Sequence, residues 1–301
     1  MKISGFTIIR NGVKFDYPFI ESILSILPVC DEFIAVVGDS DDGTREKIES
    51  LRSPKIKIID TVWDETLRTG GRILSQQTNI ALDHITGDWG FYLQGDEVVH
   101  ENDLDIIAKE MHNHLHDQNI DGLLFSYYHF WGYHHVCVTR RTYRREIRVV
   151  RNTPLIRSFR DAQSFRKYPS VEAFSGNHPG IKLNVRLINA RIFAYSRVRE
   201  PQKELEKVIA FERWWHPDDH ISKKYSGKSA FDYEQVDMVA PFDANAHPRV
   251  MNERVKKSTW KFHFTKPRFS LKNRLLYSFE KLTGWRIGER RNYKIVSRHT
   301  E

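Results

Sequence analysis

The chain has 301 residues, of which 40% are hydrophobic, and its 47 Lys and Arg outnumber 39 Asp and Glu, giving a formal charge of +8. This composition excludes disordered and collagen-like proteins, and the length suits one large domain or two small ones. Its two cysteines are too few for a disulfide framework or a four-thiolate zinc site. With no apolar run of about 18 residues and no secretory leader, we expect a cytoplasmic protein.

Strands and helices are predicted to alternate through the first third of the chain. Short, β-branched apolar runs predict four strands, at residues 3–9, 33–37, 55–60 and 89–93. Helical spacing predicts three intervening helices: one capped by Asp16, one at residues 44–51 and one at residues 73–85. This alternation indicates an α/β fold with a mostly parallel sheet covered by helices on both faces.

Polar clusters follow three of these strands. Arg10 and Asn11 follow the first strand, residues 39–42 the second, and Asp96 with Glu97 the fourth. Ligands of open α/β sheets bind beyond the carboxyl ends of the strands, so we expect one crevice to hold all three clusters. An Asp-rich turn is more often only a helix cap, but three clusters at one sheet edge favour a ligand site.

These strand ends resemble the GT-A glycosyltransferases of family 2. Residues 33–44, FIAVVGDSDDGT, are similar to that family's nucleotide-binding turn, a strand followed by Asp-Asp-Gly-Ser-x-Asp-Gly-Thr. Residues 3–11 resemble its first strand, and residues 76–79 resemble its helix ending near an Asn. Residues 87–89 and 93–97 resemble the strand that leads to its Asp-x-Asp motif. Residues 148–152 resemble its Arg-Leu-Phe-Arg strand, and residues 195–217 a bacterial subgroup motif, His-Tyr-Gly-Trp-Val-Arg followed by Pro and Lys.

The resemblance implies a GT-A catalytic domain over residues 1–200. Its nucleotide-sugar half would end at residue 101, its acceptor half would follow, and residues 201–301 would form a helical extension packed on it. The implied activity is hexose transfer from a UDP- or GDP-sugar to a hydroxyl of a glycan or lipid-linked acceptor, with inversion.

Six residues are candidates for holding the donor: Asn11, Asp39, Asp42, Arg72, Asn79 and Asp96. Asp39 would accept hydrogen bonds from the base or the ribose. Asp42 is equally well interpreted as a cap of the helix that begins at Thr44.

Asp96 and Glu97 are candidates for binding a divalent cation, Mg²⁺ or Mn²⁺, that bridges the donor phosphates. The sequence departs from the family pattern here, because Gly38 and Gln94 replace acids of the two motifs and Ala194 replaces the subgroup's histidine.

Three interpretations of these departures stay open. The first is a rearranged metal site of Asp96, Glu97, His100 and Glu101. The second is a diphosphate neutralised by cationic side chains, with these candidates: Arg72, Lys182 and Arg199. The third is a degenerate transferase that binds the donor without turnover.

Asp161 is the candidate base that takes the proton of the acceptor hydroxyl, since family members carry this carboxylate on a loop well after the metal motif. A surface ion pair of Asp161 with a neighbouring arginine is the alternative, and Glu172 is the second candidate base. His247 is a fallback metal or phosphate contact, and the aromatic run at residues 127–135 is either core or an acceptor platform.

The tail, residues 256–298, mixes basic and aromatic residues. It either lies on an anionic membrane or packs its apolar side on the catalytic domain with its charges in water, and the second interpretation is slightly favoured. No RNP, KH or zinc-finger spacing is present, so nucleic acid is not an expected partner.

Overall fold

The computed structural model describes residues 1–297 except 139, 141, 163, 176–177, 237–238 and 262–269. The strands within this part are β1 Ile3–Ile9, β2 Glu32–Gly38, β3 Ile56–Thr61, β4 Trp89–Tyr92, β5 Glu97–Val99, β6 Gly122–Trp131, β7 Tyr133–Val138, β8 Arg145–Arg151, β9 Ile156–Phe159, β10 Ser164–Lys167, β11 Ile181–Arg197, β12 Val239–Pro241 and β13 Tyr293–Ile295. The helices are α1 Phe19–Ile26, α2 Thr44–Glu49, α3 Arg72–His84, α4 Leu104–Asn113, α5 Val171–Ser175, α6 Pro201–Glu212, α7 Asp218–Tyr225, α8 Asn252–Lys257 and α9 Leu271–Thr283.

The sheet runs in the order β3-β2-β1-β4-β8-β6-β11-β10-β9. Its first four strands are parallel, with β1 between β2 and β4, as the alternation of strands and helices predicts. From β4 onward most pairings are antiparallel, beginning with β4 against β8. The α/β prediction is confirmed, but the sheet is mixed rather than mostly parallel.

Helices cover both faces of the sheet and so enclose two cores. On one face, α1, α2 and α4 bury apolar residues such as Ile23, Ile48 and Ile107. On the other face, α3 buries Ala81 and Leu82. The two covered faces leave the carboxyl edge of the parallel strands open for a site.

The predicted cap of the first helix is wrong. Helix α1 begins at Phe19 after Pro18, with no side-chain cap. The carboxylate of Asp16 instead accepts a 2.6 Å hydrogen bond from Nη1 of Arg254. This ion pair links the start of the chain to α8, a contact that local sequence cannot reveal.

The C-terminal third is not purely helical, because β12 pairs with β7 and β13 pairs with β11 of the main sheet. Part of the tail, residues 262–269 and 298, lies outside the described part. In the described part, the apolar side of α9 faces solvent rather than the catalytic domain, contrary to the favoured prediction. None of the described helices combines the length and the apolar character needed to cross a membrane.

Candidate functional site

A groove of about 890 Å³ opens at the carboxyl ends of β1 and β4. That volume lies in the range of small-molecule sites, roughly 300–1,000 Å³. Polar residues from distant parts of the chain line it, among them Arg10, Asn11, Lys14, Arg68, Gln94, Asp96, Asp161, Arg197, Lys207 and Asp218. The predicted convergence of the strand ends therefore produces an open site.

Asn11 lines the groove, and Asp39 lies behind the lining, bonded to the groove residues Arg10 and Trp63. Asn11 has a φ of 54°, a left-handed conformation that Asn tolerates well, and its N–H donates to Oγ of Ser40. Oδ2 of Asp39 lies 2.8 Å from Nη2 of Arg10, and Oδ1 accepts from the N–H of Trp63. Its side chain is 44% exposed, so Asp39 keeps access to a ligand.

Trp63 accounts for the glycine at position 38. A Cβ on Gly38 would lie 2.3 Å from Nε1 of Trp63, so the indole occupies the space that the family's acid would need. Trp63 also packs against Trp214, with ring centroids 5.2 Å apart. Arg10 lies over both rings, at 5.4 and 5.5 Å. The indole N–H groups of Trp63 and Trp215 are buried without a hydrogen-bond partner in the described part of the chain.

Asp42 fixes the turn before α2. Its Oδ1 accepts from the N–H of Thr44 at 3.1 Å, and its Oδ2 accepts from the N–H of Lys14 at 2.7 Å. Burial raises the pKa of Asp42, but hydrogen bonds from Thr44 and Lys14 outweigh it and hold the pKa below its ordinary value. Asp42 does not line the groove, so its geometry supports the capping interpretation.

Asn79 and Arg72 also lie away from the groove lining. Oδ1 of Asn79 accepts from the N–H of Ser158 at 2.8 Å, and its Nδ2 donates to the oxygen of the same residue. Asn79 therefore holds β9 against α3. Arg72 is exposed at the start of α3.

Asp96 and Lys207 face the groove from opposite parts of the sequence. The main-chain oxygen of Asp96 accepts from the N–H of Tyr195, which ties the Asp96 loop to β11. Nζ of Lys207, on α6, donates to the oxygen of Ser196 at 3.0 Å. Burial lowers the pKa of Lys207 to about 8, although the carboxylates of Glu204, which lies 4.0 Å from Nζ, and Asp96 oppose that shift. Lys207 thus faces the groove as a buried amine paired with Glu204.

Glu97 faces the core instead of the groove, contrary to the metal prediction. Its two oxygens accept 2.7 Å hydrogen bonds from Nε and Nη2 of Arg148, and Tyr127 donates a further hydrogen bond. Glu97 and Arg148 are both fully buried. Because both oxygens of Glu97 are engaged by these core residues, Glu97 is not available to a metal ion in the groove.

The rearranged metal site is not assembled either. Nδ1 of His100 accepts from the N–H of Asn102, and Oε2 of Glu101 accepts from the N–H of Arg249. Within the described residues, no three His, Cys, Asp or Glu side chains group as metal ligands. Of the four predicted ligands only Asp96 lines the groove, so the donor set does not fit a protein-built divalent cation site.

The cations that reach the groove differ from those predicted. Arg199 is buried and pairs with Glu204 outside the groove lining, and Lys182 lies on β11, paired in register with Arg166. Lys207 and Arg197 line the groove instead. Sequence reasoning missed Lys207, because the subgroup motif carries a lysine after its proline and both Lys203 and Lys207 follow Pro201.

Asp161 lines the groove from the turn between β9 and β10. Its neighbours Arg160 and Ala162 have left-handed φ values of 60° and 59°, which cost non-glycine residues free energy and are common at functional turns. Ala162 is anchored in the core, so the turn holds Asp161 over the groove. Glu172, on α5, does not line the groove.

His247 does not serve as the fallback contact. Its Nδ1 lies 2.8 Å from the hydroxyl of Tyr195 and its Nε2 lies 3.0 Å from the oxygen of His134. Burial lowers the pKa of His247 to about 4, so the ring is neutral in the core. In the aromatic run, Phe130 is likewise a core residue.

Comparison with known proteins gives one family. Residues 10–170 match the model of glycosyl transferase family 2, more than half of the chain. No curated protein is significantly similar to the sequence.

Solved structures give distant similarities. Residues 1–349 of S. aureus TarS with UDP-GlcNAc are 14% identical, cover 74% of this chain and 70% of that chain, and give a TM-score of 0.40. Mannosyl-3-phosphoglycerate synthase from Rubrobacter xylanophilus is 17% identical over 43% of this chain and 41% of that chain, with a TM-score of 0.30. Similarities this low say nothing about the substrate.

Proposed function

Because the chain belongs to glycosyl transferase family 2, we propose that it transfers a sugar from a nucleoside diphosphate donor to an acceptor hydroxyl. The observation that carries this proposal is the groove, where Asn11, Asp96, Asp161 and Lys207 line one space of about 890 Å³. Such a space, with few but convergent polar groups, suits a ligand of nucleotide-sugar size.

The nucleoside is proposed to bind at the end formed by Asn11, Asp39 and the Trp63–Trp214 pair. The exposed part of the Asp39 carboxylate accepts from base N–H or ribose hydroxyl groups. The indole faces of the Trp63–Trp214 pair offer stacking to the base.

The diphosphate is proposed to lie beside Lys207 and Arg197. A buried ammonium in a groove of low dielectric stabilises the negative charge that develops on the leaving diphosphate. Glu204 and, more weakly, Asp96 favour the charged form of Lys207. Within the described residues no three potential metal ligands lie together, so the stabilisation of the diphosphate is assigned to Lys207 and Arg197.

Asp161 is proposed to act as the base. The acceptor oxygen forms a bond to the anomeric carbon on the face opposite the diphosphate, the bond from that carbon to the phosphate oxygen breaks, and Asp161 takes the hydroxyl proton. Attack from the opposite face inverts the anomeric configuration. The acceptor is proposed to be a glycan or a lipid-linked glycan.

A thermal-shift panel of UDP, GDP, CMP and dTDP sugars, each with EDTA or with Mn²⁺, tests the donor assignment. We expect one nucleoside diphosphate sugar to raise the melting temperature in EDTA. Lys207→Met should lose this shift, and Lys203→Met, an exposed lysine of the same helix, should keep it. Failure of every nucleotide to shift the wild type would contradict the proposal.

A second candidate function, donor binding without turnover, is favoured by Gln94 and Ala194, which replace two of the family's polar residues. Release of nucleoside diphosphate from the bound donor separates the two functions. Steady release supports the transferase, whereas saturable binding with no release supports the degenerate protein.

A further inference from the structure

Helix α9 presents a stripe of large apolar side chains to solvent. Leu271, Leu275, Phe279 and Leu282 are 79%, 71%, 36% and 88% exposed. Their spacing of four, four and three residues places them on one face of the helix. Trp285, just beyond the helix, extends this surface with an exposed indole. We call these five residues the α9 stripe.

The opposite side of α9, which carries Leu276, Tyr277 and Glu280, holds the helix on the protein. Glu280 is buried, and its Oε1 accepts a 2.8 Å hydrogen bond from Nε of Arg286. Nη1 of Arg140 donates to the oxygen of Leu276 at 2.9 Å and contacts Oε2 of Glu280 at 3.4 Å. These contacts fix the rotation of α9 about its own axis, so the α9 stripe faces solvent.

The exposed side of α9 is basic as well as apolar. With about 100° between successive residues of a helix, Lys272 borders one edge of the stripe, and Arg274 and Lys281 border the other. The single acid of the helix, Glu280, is the one turned inward. An apolar arc with basic edges is the pattern of helices that lie in the interface of an anionic bilayer.

A second copy of the chain fits this surface less well. A two-fold interface brings the same patch of both subunits together, so the basic edges of two α9 helices would face each other. Anionic headgroups, by contrast, complement all three basic side chains while acyl chains cover the stripe.

We propose that α9 binds peripherally to an anionic lipid bilayer, with the α9 stripe inserted at the headgroup boundary and its basic edges on the phosphates. This binding is independent of the proposed glycosyl transfer.

Co-sedimentation with vesicles tests the apolar part of the proposal. The full chain should bind phosphatidylcholine–phosphatidylglycerol vesicles more tightly than phosphatidylcholine vesicles. Leu275→Ser/Leu282→Ser should weaken binding by about tenfold or more, since each leucine contributes apolar burial. Val171→Ser/Ile181→Ser, which removes two exposed apolar side chains elsewhere, should bind like the wild type. Unfolding of the double leucine variant is checked by its melting temperature.

The charge part is tested with Lys272→Gln/Arg274→Gln against Lys57→Gln/Lys203→Gln, which removes two exposed lysines elsewhere. Only the first pair should weaken binding to anionic vesicles and flatten its dependence on salt. Equal binding by wild type and Leu275→Ser/Leu282→Ser would overturn the proposal. Two other results would overturn it: a wild-type dimer in solution that becomes monomeric in Leu275→Ser/Leu282→Ser, or a wild-type monomer that does not bind vesicles.

Discussion

Lys207 should make nucleoside diphosphate binding depend on pH. Burial lowers its pKa to about 8 in the free protein, and a bound diphosphate should return it towards its ordinary value near ~10.4. At any pH where the Lys207 amine of the free protein is neutral, binding of the diphosphate therefore takes up a proton. The affinity should be constant below about pH 7 and fall as the pH rises through 8; at pH 9 about one-tenth of the free protein carries the charge, so binding weakens by about tenfold.

Titration calorimetry with UDP or GDP between pH 7 and 9 measures this slope, and buffers of different ionisation enthalpy measure the proton uptake. Lys207→Met should bind more weakly at pH 7, by about 10- to 100-fold for a lost charge-assisted hydrogen bond, and its affinity should not vary as the wild type's does. Lys203→Met should retain the wild-type slope, because that lysine is exposed. The same pH dependence in Lys207→Met and in the wild type would refute the assignment of Lys207 to the diphosphate.

Three further substitutions test other parts of the structure. Asp161→Asn should reduce kcat by about 100-fold or more with donor affinity unchanged, as steady-state kinetics and calorimetry can show, because a base acts in the transition state. Glu97→Gln should lower the free energy of unfolding by about 3–5 kcal/mol in denaturant titrations, since it leaves Arg148 buried without its countercharge; an unchanged midpoint would contradict the structural role. Burial raises the pKa of Glu146 to about 8, well above the ordinary value of ~4.3 that it has in the unfolded chain, so the stability of the wild type falls progressively as the pH rises from about 4 to 8; the advantage of Glu146→Gln over the wild type should be much larger at pH 8.5 than near pH 5. A constant difference between these two pH values would argue against a buried, protonated Glu146.

The first half of the site follows from sequence because its geometry is set by strand ends. Parallel strands bring their carboxyl ends to one edge, and this places Asn11 and Asp96 in one groove with Asp39 bonded to the groove residues Arg10 and Trp63. The predicted GT-A fold is confirmed by the α/β sheet and by the family match.

The remainder depends on contacts between distant segments. Glu97 follows Asp96 directly, yet it begins β5 and its side chain meets Arg148, 51 positions later. Lys207 enters the groove only because α6 packs beside Tyr17 and the Asp96 loop. Periodicity likewise identifies the apolar stripe of α9, but the ion pairs of Glu280 decide which side meets the protein.

A co-crystal structure with the nucleoside diphosphate that binds best, grown in EDTA, would locate the donor site. We expect a base beside Asp39 and Trp63 and a diphosphate within hydrogen-bond distance of Nζ of Lys207. A nucleotide bound elsewhere on the chain, or a diphosphate remote from Lys207, would contradict the proposed donor site.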